Sequence, residues 1–290
     1  MSAPINIQPT PEGGEPIPVL ACNALSPEDE SALGRAICEL RRSSLAMRLT
    51  SLIGRQMGNI GLILPPSVAE AVNRSAESAI RGAMAVALRS LSGASIRDRR
   101  RLHKSVATLA GAAGGAFGLA GLPVELPFTT TVMLRSIADI AQGEGEDLTD
   151  PDVALACLEV FALGDEVNPS GMPTQGGGLE TGYFAVRLVL AKSISESARY
   201  FLDRGFSEQA APLLVRLIAQ ISARFGVVVS QKVAAQSVPL IGAASGAAIN
   251  YAFVDHFQTL ARGHFTVRRL ERTYGAALVR AEFDRLVRQA

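Results

Sequence analysis

Apolar residues recur at three- and four-residue steps along most of this chain, and that spacing predicts helices. The first begins at Ser26-Pro27-Glu28-Asp29, where a capping serine, a first-turn proline and two acids stand in the order a helix start favours. Leu33, Ile37, Leu40, Leu45 and Leu49 follow on it, carrying it to about Gly54–Gly58. Pro65-Pro66 interrupts the pattern, and Val68, Val72, Ile80, Met84 and Leu88 predict a second helix to about Leu91. Ser95 caps a third segment, which runs into an uncharged stretch, turns at Gly121-Leu122-Pro123 and resumes as a helix from about Pro127 to Ala141. The polar turn GEGEDLTD leads to Asp150-Pro151, which restarts a helix that ends at Gly164.

Residues 165–179, DEVNPSGMPTQGGGL, combine two prolines and four glycines and predict a flexible loop. Helices of about 180–203, 208–235, 238–273 and 276–288 follow, with Phe184, Leu188, Ala191 and Ile194 on one face of the first. Gly205 and Gly275 read as C-terminal stops. The one stretch with strand character, FGVVVS at 225–230, lies inside a helical context. The fold class is therefore all-α, a multi-helix bundle. Residues 1–24, with five prolines, read as a disordered arm, and 25–290 as a single helical domain.

Composition sharpens this picture. Hydrophobic residues make up 48% of the 290, aromatics 5%, and tryptophan is absent, which predicts an Ala/Leu/Val/Gly core with few large anchors. A net charge of +1 argues against a nucleic-acid partner. Cys22, Cys38 and Cys157 have no metal or CxxC spacing, and His103, His256 and His264 form no HExxH or tight ligand pair, so neither a metal nor a cofactor is expected. His256 reads as a partly exposed helix residue. No basic-then-apolar leader opens the chain, so a cytoplasmic location is expected.

The stretch from Ser105 to Val124 carries no charge and just reaches the ~20 residues of a bilayer span. Six strongly apolar side chains give roughly −2 to −4 kcal/mol for insertion, before its glycines, Pro123 and hydroxyls count against it. Gly111/Gly115 and Gly114/Gly118 have GxxxG spacing, repeated by Gly242/Gly246 in the uncharged run Val233–Val254. Such ridges let helix backbones approach closely and predict that the two segments pack together; exposed, they would also permit a homodimer. A buried hairpin ranks first and partial membrane insertion second. The cluster Arg97, Arg99, Arg100, Arg101 and Lys104 keeps the second open, being placed to meet an anionic surface. The arginine-rich segment 262–288 reads first as a solvated helix face.

Three stretches taken in order, AGGAFGLAGLPVELPFTTTVMLRSIADIA, GEDLTDPDVALACLEVFALG and VPLIGAASGAAINYAFVDHFQTLARGHFTVRRLERTYG, resemble the EcsC protein family over roughly residues 80–280. That family often has Asp at the position of Glu125, so the carboxylate is kept. The resemblance implies an intracellular, helical, membrane-related bacterial protein, the family being named for an ABC-transporter operon. It supplies no catalytic residues, and no GxSxG or other nucleophile motif stands in the chain.

Glu125 falls at or just before the start of a helix, where a carboxylate meets free N–H groups and fixes the turn. A second reading makes it a cleft carboxylate binding a cation or headgroup. Arg135 and Asp139, four apart in an apolar helix, predict an ion pair. With Glu159, Asn250 and Asp255 they form a candidate buried polar cluster around Glu125. The leading expectation is a non-catalytic protein that binds lipid or a membrane protein at the inner membrane. The alternatives are a hydrolase with a carboxylate-centred interhelical pocket, and a carrier of an apolar ligand gated by 165–179.

Overall fold

The computed structural model describes residues 24–41, 45, 49, 65–90, 121–164, 179–204, 211–236 and 242–289. The Pro-rich arm, the basic cluster 97–104, the glycines at 111–118 and the 165–178 loop lie outside these residues. Among the described residues eight α-helices follow in order: α1 Pro27–Arg41, α2 Pro66–Ser90, α3 Leu122–Gly143, α4 Pro151–Glu159, α5 Leu179–Arg204, α6 Ala211–Gln236, α7 Gly242–Tyr274 and α8 Ala276–Gln289. A 3-10 turn, Val160–Ala162, extends α4. Among the described residues there is no strand.

Local chemistry sets the ends. Ser26 Oγ accepts from the Asp29 backbone N–H at 3.2 Å, and Asp150 Oδ1 accepts from that of Asp152 at 2.8 Å, each satisfying a donor that a helix start leaves free. Gly275, at φ +88°, takes the left-handed conformation that separates α7 from α8. FGVVVS is helical, within α6, where Phe225, Val228 and Val229 are buried and Val227 is half-buried.

One element starts earlier than its sequence suggests. α3 begins at Leu122, so Pro123 sits in its first turn and Pro127 lies inside the helix. A proline in the first turn removes only an N–H that has no intrahelical partner, and so starts a helix as readily as it ends one. Thr131 Oγ1 donates to the Pro127 carbonyl at 2.9 Å in the following turn.

α2 packs on both α3 and α6, α1 lies along α7, α4 packs on α5, and α8 folds back onto α7. The core holds larger anchors than the composition suggests. Phe161 lies 5.3 Å, centroid to centroid, from Phe257 and from Phe225, and Phe253 lies 5.3 Å from Phe257. All four are fully buried. Few aromatics suffice because the chain gathers them where the 3-10 turn, α6 and α7 meet.

Most arginines of α7 and α8 are paired rather than solvated, while Arg280 and Arg288 are exposed. Arg262 pairs with Glu39, Arg269 with Asp29 and Glu144, Arg268 and Arg272 with Glu146, and Arg285 with Glu30 and Glu282. These pairs fasten α1 and the α3–α4 turn to the C-terminal helices. Hydrogen bonds from Tyr274, then from Arg269 and Ser26, hold the Asp29 carboxyl below its ordinary value against some desolvation.

Candidate functional site

Two regions gather polar groups inside this apolar bundle. The first lies at the start of α3. Lys232, on α6 and with no exposed surface, donates from Nζ to Glu125 Oε1 at 2.6 Å and to Asn250 Oδ1 at 2.9 Å. Its ammonium also sits 4.8 Å from the Phe253 ring centroid, a cation–π contact that takes up part of its remaining charge. Burial pulls the Lys232 ammonium below its ordinary pKa, while Glu125 pulls the other way.

This arrangement ties together α3, α6 and α7, the elements that follow or carry the two uncharged runs. Glu125 lies in the first turn of α3, as its position beside Pro127 suggests, but its carboxylate meets Lys232. A carboxylate held this way is a structural partner and not an open base. Beside it, Val124 is 79% exposed and Phe128 48%, an i,i+4 apolar pair on the outer side of the same turns.

Other members of the candidate cluster lie elsewhere. Arg135 and Asp139 are ten and fourteen residues along α3 from Glu125, about 15 and 21 Å at the helical rise. Among the described residues they form no ion pair with each other: Arg135 is exposed and Asp139 buried. Asp255 is half-buried, one turn beyond Asn250 on α7. His256 is buried rather than partly exposed, with Nε2 2.8 Å from the Gly164 carbonyl oxygen.

Glu159 belongs to the second region, a solvent-open cavity of about 380 Å³ between α4, α5, α7 and α8. Phe184, Leu188, Ala191 and Ile194, the apolar face of α5, form one wall. Arg187, Arg268, Glu271 and Arg280 line the remainder together with Glu159 and Asp152 of α4. Arg187 grips Glu271 through two parallel hydrogen bonds of 2.8 and 2.7 Å, the forked geometry that suits guanidinium and carboxylate. Arg280 instead lies over the Phe184 ring at 4.7 Å.

Behind Glu159, Tyr183 Oη and His264 Nδ1 are 3.1 Å apart, and His264 Nε2 faces Glu159 Oε2 at 3.8 Å, beyond hydrogen-bond range. Burial pushes the Glu159 carboxyl up to about 7, against the pull of Arg187 and Arg268. Burial, reinforced by the same two arginines, holds His264 well below its ordinary value and keeps it neutral. The cavity thus presents a neutral or half-ionised acid, one stacked guanidinium, and a long apolar wall.

Among the described residues one helix, over Pro212–Gln236, is long and apolar enough to cross a bilayer by length and composition. It carries Lys232, and its Phe225, Val228, Val229 and Val233 are fully buried against the bundle.

An all-α bundle of long helices, with a buried Lys–Glu–Asn link and a charged cavity, defines the class of this protein. A sequence model of the EcsC protein family matches residues 39–270, and the chain belongs to that family. No curated protein and no solved structure matches it.

Proposed function

We propose that the protein is a non-catalytic helical module that binds lipid at the cytoplasmic face of the bacterial inner membrane, alone or beside a membrane-protein partner. The observation that carries this reading is the apolar pair at the start of α3: Val124 and Phe128 are turned outward at 79% and 48% exposure. Their backbone is held by the buried Glu125–Lys232 pair directly behind them. Large apolar side chains fixed on an outer turn have no favourable partner in water. Immersing each in a lipid interface contributes up to about 1.5–3 kcal/mol. The uncharged stretch that leads into this turn, and the basic cluster before it, supply further apolar surface and charge that suit an anionic bilayer.

Flotation with neutral and anionic vesicles tests the reading. The protein is expected to rise with anionic vesicles, and the Val124→Asp/Phe128→Ser variant to lose about tenfold or more of that partition with its melting temperature kept. Failure of the unmodified protein to float with either vesicle sinks the proposal.

A further inference from the structure

We propose that the cavity between α4, α5, α7 and α8 binds a single-chain acidic amphiphile, its carboxylate at Arg280 and its apolar chain along Leu188, Ala191 and Ile194. This rests on the lipid-binding reading for the kind of ligand, and on none of the residues at the start of α3.

The wall comes first. Phe184 to Ile194 spans ten residues, about 15 Å of α5, with Phe184, Leu188, Ala191 and Ile194 on the side that lines the cavity and Arg187 among them. Such a face normally disappears into a core. Here Phe184 and Ile194 are buried, while Leu188 between them keeps 75% of its surface exposed, so the middle of the stripe opens to solvent, with Arg187 and Arg280 set against its Phe184 end. An apolar stretch with guanidinium groups at its Phe184 end fits a molecule with an anionic head and an apolar chain.

The charges choose the sign of the head. Arg187 is matched by Glu271, and Arg268 by Glu146. Arg280 has no carboxylate partner among the described residues and stacks on Phe184, where the stripe begins. It is the cation left to meet an anion.

Glu159 is the second, independent sign of a ligand. It is 4% exposed and lines the cavity, yet among the described residues nothing hydrogen-bonds its carboxyl. It is faced by Tyr183 and Arg187 from α5 and by His264, Arg268 and Glu271 from α7, and Arg280 of α8 lines the same cavity. In its protonated form it donates a hydrogen bond to an incoming carboxylate; ionised, it repels one. Asp152, seven residues and ~10 Å away along α4, disfavours a second negative group and suits a ligand with a single acidic head.

Calorimetric titration of the full chain with decanoate, below its aggregation concentration, tests the assignment. Saturable one-to-one binding is expected, weakened about ten- to hundredfold by Arg280→Gln and by Leu188→Asp. Acetate is expected to bind far more weakly. Because the protonated fraction of Glu159 falls through about 7, affinity should drop about tenfold between roughly pH 6 and pH 8. Glu159→Gln should flatten that profile and retain binding. Equal binding of decyltrimethylammonium or decyl maltoside overturns the role of the charged end, and equal binding of acetate overturns the apolar wall. Decanoate binding untouched by Arg280→Gln and Leu188→Asp overturns the site. A Val124→Asp/Phe128→Ser protein that no longer floats yet still takes decanoate separates this inference from the surface-binding one.

Discussion

At the scale of single residues, Lys232 decides the most. It is one of only three lysines, and a lysine with no exposed surface must be paired or lose its charge. Lys232→Met would strand the Glu125 carboxylate in the core and is expected to cost about 3–5 kcal/mol in chemical denaturation. The double variant Lys232→Met/Glu125→Leu should recover most of that loss, because two apolar groups in place of a buried pair leave nothing unpaired. A double variant no better than the single one would show that the two do not act as a unit. The sequence displays Glu125 and Asn250 as polar residues in apolar helices, and the structure links them. Their common partner was legible only as a lone lysine in the run FGVVVSQKVAA, where nothing indicates which helix it meets. The spacing of Arg135 and Asp139 misleads for a related reason. Four residues apart allows an ion pair, but the bundle buries Asp139 and leaves Arg135 in solvent.

At the scale of elements, helix contacts rest on particular glycines. A Cβ built on Gly263 of α7 would lie 2.8 Å from Leu40 Cγ and 3.0 Å from the Ala36 carbonyl oxygen of α1. Gly263→Ala is therefore expected to destabilise by about 1–3 kcal/mol, exceeding the roughly 1 kcal/mol that helix propensity returns. Gly34, inside α1, has nothing within 4 Å of its Cβ direction. Gly34→Ala should stabilise by up to about 1 kcal/mol, so thermal melts of the two variants should move in opposite directions. Periodicity shows where helices lie, because burial of one face imprints a repeat. It marked the face of α5 formed by Phe184, Leu188, Ala191 and Ile194. It does not show which glycine faces a neighbour: Gly263, which belongs to no GxxxG motif, makes a close approach to α1, while the GxxxG glycines at 111–118 lie outside the described residues.

For the whole molecule, two buried titrating groups give stability opposite slopes with pH. Glu159, raised to about 7, binds its proton more tightly folded than unfolded, so its contribution is full at low pH and is lost as pH rises from the ordinary carboxylate range through about 7. His264 is depressed below 6.5, so the folded state loses stability as pH falls below that value and the unfolded chain takes up a proton. Glu159→Gln should raise stability above about pH 7, by up to roughly 3 kcal/mol, change little near pH 4–5, and expose the His264 slope. Melting temperatures across that range check it, and an unchanged profile would mean that Glu159 ionises as freely as an exposed carboxylate. The all-α class was readable from the sequence because it depends on local repeats. The cavity was not, because its walls come from four helices whose lateral order no local repeat records.

The ion pairs of α7 and α8 also bear on how the chain is made. Arg269 reaches Asp29 across 240 residues, Tyr274 reaches the same acid across 245, and Arg285 reaches Glu30 across 255. Helix α1 leaves the ribosome long before the partners that hold it are synthesised. Its polar side has no match until translation has passed the end of α7. The first of the described helices to emerge is thus among the last to dock, and its closure onto the bundle marks the completion of the C-terminal pair.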